Sequence, residues 1–155
     1  MGHQITLAQA KQIALASKDS LWAQARRLGR DVKIYIHWTA GHYDQTFDHY
    51  HFNILKNGKI YTDYNDISEV ISHTYKRNTG AVGIALTCCY NANSNNLGPE
   101  PPTDAQIESL AMLVAVLAKA LDLTIDLARV MTHAEAADNM YGLAPHEKYV
   151  PATTC

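Results

Sequence analysis

The sequence has few of the features that mark disulfide-bonded, membrane-spanning or nucleic-acid-binding proteins. Only three of its 155 residues are cysteines and two of these are adjacent, which is not a disulfide framework. No run approaches the roughly 20 apolar residues that cross a bilayer. The net charge of −2 gives no basic surface for nucleic acid or an anionic membrane. The first residues lack a basic stretch followed by an apolar core, so we expect a soluble protein made in the cytoplasm without a signal peptide.

What the sequence does have is enough apolar residues for one core, and many histidines. Hydrophobic residues make up 47% of the chain and charged residues 18%, which is typical of a folded domain. The length suits a single domain, and no internal repeat divides it. Eight histidines occur in this short chain, several of them beside aromatic residues. We therefore treat residues 1–155 as one domain and look for its chemistry among the histidines.

Helix and strand patterns alternate along the chain, which predicts an α/β domain with a central mixed β-sheet flanked by helices. Thr6 is placed to cap a helix over residues 7–28, and Gly29 suits its C-terminal end. Thr103 opens a capping box with a glutamine three residues later, and the apolar stripe that follows predicts a helix over 104–121.

Five segments have the alternating or continuous apolar pattern of strands. They are residues 33–39, 51–55, 59–62, 81–87 and 127–132. Asn57-Gly58 joins the second and third as a hairpin, and this pair predicts a type I′ turn because both residues tolerate positive φ. From Ala134 onward we expect irregular structure.

Two histidines, His37 and His133, lie at the ends of predicted strands. A strand end holds a side chain rigidly while leaving it open to a cleft, which suits a metal ligand. Neutral imidazole binds zinc, and a catalytic zinc takes three protein ligands and an open position. For either histidine alone, a hydrogen-bonded structural role is the simpler interpretation, and their separation in sequence does not decide the question.

Seven short motifs then follow one another in order. They are IHWTAG at 36–41, YHFxI at 50–54, NGKIY at 57–61, HT at 73–74, VGIAL at 82–86, PTxxQ at 102–106 and THxE at 132–135. Together they resemble the zinc-dependent N-acetylmuramoyl-L-alanine amidases, a family that includes phage lysozyme-type amidases and peptidoglycan recognition proteins. The resemblance covers residues 33–135, leaving an N-terminal helix within 1–30 and an irregular C-terminal segment, 136–155, outside it.

The resemblance implies roles for individual residues. His37 and His133 take the positions of the first two zinc ligands, and Tyr50 takes that of the catalytic tyrosine. His51 is expected to pack or hydrogen-bond within its strand. The side chains expected to contact substrate in the cleft are His73, Thr39 and Trp38.

The third ligand is where the sequence departs from the family pattern. The family has Cys or Asp about eight to ten residues after the second histidine, and residues 141–143 here are Tyr, Gly and Leu. The remaining candidates are Asp138, His146, Glu147 and Cys155, or a residue beyond position 155 if the chain is shortened. Cys155 is chemically the best, since a thiolate binds zinc tightly. Glu135 is a candidate to orient its neighbour His133.

The predicted function is a zinc-dependent peptidoglycan hydrolase that cleaves the amide between N-acetylmuramic acid and L-alanine. It would act as a phage or prophage endolysin released to the cell wall, or as a bacterial wall-remodelling amidase reaching the wall by an unidentified export route. The alternative is a non-catalytic peptidoglycan-binding domain, favoured by the missing third ligand. A cysteine enzyme using Cys88 or Cys89 is disfavoured, because buried cysteine usually behaves as a small hydrophobe. No oligomeric state is predicted.

Overall fold

The structure, a computed structural model, describes residues 2–74 and 77–138. In this part of the chain three helices and six strands form one α/β domain, which confirms the predicted fold class. The helices are α1 (Leu7–Arg27), α2 (Asp104–Ala120) and α3 (His133–Asp138). The strands are β1 (His3–Ile5), β2 (Lys33–Trp38), β3 (Phe52–Ile54), β4 (Ile60–Thr62), β5 (Ala81–Leu86) and β6 (Val130–Thr132). Neither long helix has the length and apolar character needed to cross a bilayer.

The six strands form a mixed sheet in the order β1-β4-β3-β5-β2-β6. Strands β3, β5, β2 and β6 run parallel to one another, and β4 and β1 complete the other edge in antiparallel register. The longest pairing joins β2 to β5 from Lys33↔Ala81 to Trp38↔Leu86. Strand β2 therefore lies between β5 and the edge strand β6, and the residues that end both β2 and β6 meet at one side of the sheet.

Both long helices begin with a capping box. The hydroxyl of Thr6 accepts from the Gln9 backbone while the Gln9 side chain accepts from the Thr6 backbone. Thr103 and Gln106 make the same reciprocal pair at the start of α2. After α1, Gly29 has a φ of +70°, which suits a residue without a Cβ. The predicted helix boundaries are confirmed to within a residue or two.

Successive side chains of a strand point to opposite faces of the sheet, so the two faces carry different residues. Ile34 and Ile84 contribute to a large apolar core together with α1 and α2, which cover that face. Tyr35 and His37 alternate with these residues and so leave the sheet on the opposite face. There they neighbour only small residues of β5, with Gly83 beside Tyr35 and Ala85 beside His37. Helices α1 and α2 pack on the other side of the sheet, so we call this face the open face; Tyr35 and His37 are nevertheless buried in it.

The hairpin between β3 and β4 forms as predicted, but its turn differs. Of its loop residues only Gly58 has a positive φ, +82°, so the predicted type I′ turn, which needs a positive φ at Asn57 as well, is wrong. The Gly58 backbone donates to Leu55, and Leu55 donates to Lys59, which makes a three-residue loop. A Cβ at Gly58 would lie 2.9 Å from the Ala105 carbonyl oxygen, so contact with α2 fixes this conformation.

Two short elements were not predicted. Strand β1 has only three residues, too few for a periodic pattern, and it is held by pairing with β4. Helix α3 replaces the irregular structure expected from Ala134. It forms because Thr132 and Glu135 cap its first turn, the Glu135 backbone donating to the Thr132 hydroxyl at 3.1 Å.

Candidate metal centre

Three histidines from distant parts of the sequence lie together on the open face. His37 comes from β2, His133 follows β6, and His73 lies between β4 and β5. The ring centroid of His37 is 5.2 Å from that of His133 and 5.3 Å from that of His73. The pairing of Ile36 in β2 with Thr132 in β6 explains the distance between His37 and His133. Each histidine is the next residue after one member of this pair, so the two lie side by side. The sheet thus brings the two predicted zinc ligands together.

The environment of His37 keeps its imidazole neutral. The side chain is 7% exposed. Burial, together with a smaller contribution from nearby His133, lowers the pKa of His37 to about 3. A neutral imidazole has a free lone pair, which is the form that binds metal. The Nε2 atom of His37 lies 3.2 Å from Nδ1 of His73 and 3.4 Å from the Thr74 hydroxyl.

His73 is enclosed beside His37 rather than exposed at the surface. Its Nδ1 is also 3.1 Å from the Thr74 hydroxyl. The backbone amides of His73 and Thr74 both donate to Oδ1 of Asn78, at 3.0 and 2.7 Å. Burial lowers the pKa of His73 well below its ordinary value, and the charges of neighbouring histidines act in the same direction. Its Nε2 is buried without a hydrogen-bond partner in the described ranges.

Tyr50, the predicted catalytic tyrosine, lies at the same place. Its ring centroid is 5.0 Å from that of His37, and its side chain is half-buried. It precedes β3, where the Asn53 side chain accepts from the Phe47 amide at 3.2 Å and donates to the Phe47 carbonyl at 2.9 Å. These two bonds tie the preceding loop to the sheet and so set the approach of Tyr50 to the histidines.

His51 has a structural role, in agreement with the sequence interpretation. Its Nδ1 accepts from the Gly83 backbone amide at 3.0 Å, and its Nε2 lies 2.8 Å from the Glu69 carbonyl oxygen. The carbonyl can only accept, so Nε2 carries the proton and both ring nitrogens are satisfied. Burial lowers the pKa of His51 to about 4, opposed by the hydrogen bond to Glu69.

Two of the predicted substrate contacts, Trp38 and Thr39, lie where β2 ends. Trp38 is 54% exposed, but strand alternation directs it to the face opposite His37. The Thr39 hydroxyl accepts from the Gly41 amide at 3.1 Å and supports the turn after β2. Glu135, the candidate to orient His133, lies in the first turn of α3. Its carboxylate accepts from the amide and hydroxyl of Thr132, at 2.7 and 3.0 Å.

The candidates for a third zinc ligand lie outside what the structure describes. Cys155, His146, Glu147 and the side chain of Asp138 all lie outside the described residues. Within residues 2–74 and 77–138, no group of three His, Cys, Asp or Glu side chains is arranged to hold a metal ion. The donors that are described fit zinc in kind, being two adjacent imidazoles of which the more buried is neutral. They would supply two of the three ligands that a catalytic zinc requires.

The adjacent cysteines do not form a second reactive centre. Cys88 and Cys89 are both fully buried, and their Sγ atoms lie 3.4 Å apart. Burial raises the pKa of the Cys88 thiol, and the neighbouring sulfur adds to the effect. An activated cysteine has a lowered pKa and some exposure, so both observations argue against a cysteine nucleophile.

Comparison with known proteins agrees with the fold. The sequence profile of the N-acetylmuramoyl-L-alanine amidase family matches residues 29–152. The chain belongs to this family. A comparison with the curated proteins gave no match.

Solved structures give the same fold. The N-acetylmuramoyl-L-alanine amidase LysC from Clostridium intestinale URNW is 25% identical with a TM-score of 0.52, covering 78% of this chain and 83% of that one. The Ph2119 endolysin from the Thermus scotoductus MAT2119 bacteriophage is 19% identical with a TM-score of 0.53, covering 78% and 86%. The Drosophila peptidoglycan recognition protein SA is 15% identical with a TM-score of 0.50, covering 79% and 81%. The last two likenesses concern the fold alone.

Proposed function

We propose that this protein is a zinc-dependent N-acetylmuramoyl-L-alanine amidase. It would hydrolyse the amide between the lactyl group of N-acetylmuramic acid and L-alanine of the peptidoglycan stem peptide. The observation that carries the proposal is the adjacency of His37 and His133, whose ring centroids are 5.2 Å apart, with Tyr50 beside them. Family membership supports the same reaction. As an endolysin, the protein would act on the cell wall after release from the cytoplasm.

In this proposal His37 and His133 hold the zinc, and Cys155 remains the predicted third ligand. A bound zinc ion polarises the scissile carbonyl and lowers the pKa of a water molecule towards about 7. His37 is neutral, so its imidazole offers a lone pair to the metal without first losing a proton. Its rigid strand also fixes the direction of that lone pair.

Tyr50 would act on the substrate rather than on the metal. Its phenol can donate a hydrogen bond to the carbonyl oxygen as that oxygen gains negative charge during attack. One such donor is worth about 3 kcal/mol of transition-state stabilisation. The small residues Gly83 and Ala85 pair with Tyr35 and His37 and let the histidine rings pack closely on the sheet. Trp38 and Thr39, directly after His37, remain predicted contacts at the rim.

The test combines metal analysis with muropeptide release. The purified chain is expected to hold one zinc ion and to release stem peptides from peptidoglycan, and chelation should stop the release. His37→Ala and His133→Ala should each abolish release while circular dichroism stays unchanged. His49→Ala is the matched control, since its side chain is 64% exposed and lies in a loop. Release at the parent rate by either ligand variant would contradict the proposal.

One observation favours a second candidate function, that of a non-catalytic peptidoglycan-binding domain. The described residues contain no three-ligand group for a metal, and two imidazoles alone hold zinc weakly. A protein of this kind would bind cell walls in the presence of chelator and release no stem peptide. The same two measurements therefore separate the enzyme from the binding domain.

A further inference from the structure

We propose that His73, packed on Gly83, is a positioning residue that fixes the tautomer of His37 and so presents the Nδ1 atom of His37 to the metal. This inference rests on the zinc centre proposed above. It concerns how the first ligand is oriented, which neither the sequence nor the family comparison addresses.

The contact between the two rings couples the proton positions of His37 and His73. Nε2 of His37 and Nδ1 of His73 are 3.2 Å apart, and both side chains are buried. In a hydrogen bond between two imidazole nitrogens, one nitrogen donates and the other accepts. If His37 donates from Nε2, its Nδ1 keeps the lone pair. Metal-binding histidines have this arrangement, because the ring N–H that faces away from the metal donates to a fixed acceptor.

Gly83 is what allows His73 to reach this position. A Cβ at residue 83 would lie 2.9 Å from Cγ and 3.0 Å from Nδ1 of His73. The φ of Gly83 is not in the positive range, so glycine serves here to provide space and not an unusual backbone conformation. Asn78 holds the backbone of His73 from the other side through two amide hydrogen bonds. The acceptor offered to His37 is therefore rigidly placed.

His73 differs from a structural histidine because its Nε2 has no hydrogen-bond partner among the described residues. His51 lies next to it, with ring centroids 5.8 Å apart, and has partners on both ring nitrogens. In His73 only the Nδ1 side has partners, and Nε2 is buried without one in the described part of the chain. A buried polar group left unpaired lowers the stability of the fold. That cost is consistent with a ring placed for its contact with His37 and not for stability.

The first experiment measures the zinc dissociation constant by competition with a chelating dye. His73→Ala removes the acceptor, His73→Leu fills the space without one, and His73→Asn returns an acceptor oxygen near the position of Nδ1. We expect alanine and leucine to weaken zinc binding 10–100-fold, the usual effect of losing such a partner. Asparagine should stay within about threefold of the parent, and His49→Ala should leave the constant unchanged.

The second experiment uses ¹⁵N NMR of the metal-free protein to read the histidine tautomers directly. His37 should carry its proton on Nε2 in the parent and in His73→Asn, and should show mixed tautomers in His73→Ala. Gly83→Ala should shift the His37 signals and weaken zinc binding in the parent background. In the His73→Ala background it should have no further effect, because the ring that it displaces is gone.

Three results would overturn the inference. They are parent-like zinc affinity in both His73→Ala and His73→Leu, rescue by leucine but not by asparagine, and a proton on Nδ1 of His37 in the metal-free parent. A parent chain that binds no zinc would instead refute the proposed metal centre. The tautomer measurement needs no metal and would still decide whether His73 fixes His37.

Discussion

The two faces of the sheet carry alternate residues of the same strands, and these residues have different roles on each face. Ile34 and Ile84 enter a predominantly apolar core beneath α1 and α2. His37, three residues after Ile34, and Gly83, directly before Ile84, lie on the open face beside imidazole rings. The covered face supplies rigidity, and the open face uses that rigidity to hold polar groups in fixed positions. Substitutions on the two faces should therefore affect different measurements.

The largest effect on stability is expected from the covered face. Leu117 of α2 is fully buried in the core, and Leu117→Ala should lower the free energy of unfolding by about 2–5 kcal/mol. Zinc affinity per folded molecule should not change, since Leu117 lies on the helix side. Urea unfolding followed by circular dichroism measures the loss. Ile107→Ala, at a 51% exposed position of the same helix, is the control and should change stability by less than about 0.5 kcal/mol.

A second prediction concerns the buried histidines and pH. The pKa of His51 is lowered to about 4, so between pH 6.5 and about 4 the unfolded chain takes up a proton that the folded chain does not. Stability should therefore be fully present above pH 6.5 and fall as the pH drops towards 4. At 1.36 kcal/mol per pKa unit, His51 accounts for about 3 kcal/mol of this loss.

Unfolding measured with chelator at a series of pH values tests this dependence. His51→Gln should flatten the slope over that interval, and His49→Gln, in the exposed loop, should keep it. A stability that rises on acidification through this range would show that His51 is not held neutral in the fold.

Tyr50 gives a kinetic prediction for the open face. Tyr50→Phe removes one hydroxyl beside His37 and should lower kcat for muropeptide release about 100-fold, as expected for the loss of one oxyanion donor. The substitution keeps the ring, so zinc affinity and the unfolding free energy should remain at parent values. An unchanged kcat would remove Tyr50 from the proposed reaction.

The smallest effect is expected at the end of α1. Gly29 has a φ of +70°, and no atom lies within 4 Å of where a Cβ would be placed. Gly29→Ala should therefore lower the free energy of unfolding by about 1 kcal/mol through backbone strain alone. Activity should be unchanged, and a stabilising effect in thermal unfolding would contradict the left-handed conformation.

The sequence predicts best what is decided locally. Thr103 and Gln106 predict the start of α2, because a capping box needs only four consecutive residues. The hairpin before Gly58 was predicted, but its turn type was not, because contact with Ala105 of α2 decides it. The sequence does not predict β1, because three residues are too few for a periodic hydrophobic pattern and the strand is held by its pairing with β4.

The candidate site was predictable only in part. The spacing of His37 and His133 in the sequence does not predict that they are close in space. The resemblance to a family predicts it, and the register of β2 against β6 explains it. His73 was expected to line the cleft, but its contact with His37 was not anticipated. The only sequence signal for it is a glycine inside an apolar strand, at Gly83, which indicates close approach of another group.

The most direct test of the metal centre is a crystal structure of the zinc-loaded protein with anomalous data at the zinc absorption edge. The account predicts one strong anomalous peak on the open face, about 2.1 Å from a ring nitrogen of His37 and of His133. For His37 that nitrogen should be Nδ1. Zinc bound elsewhere, or no peak between the two rings at saturating zinc, would contradict it.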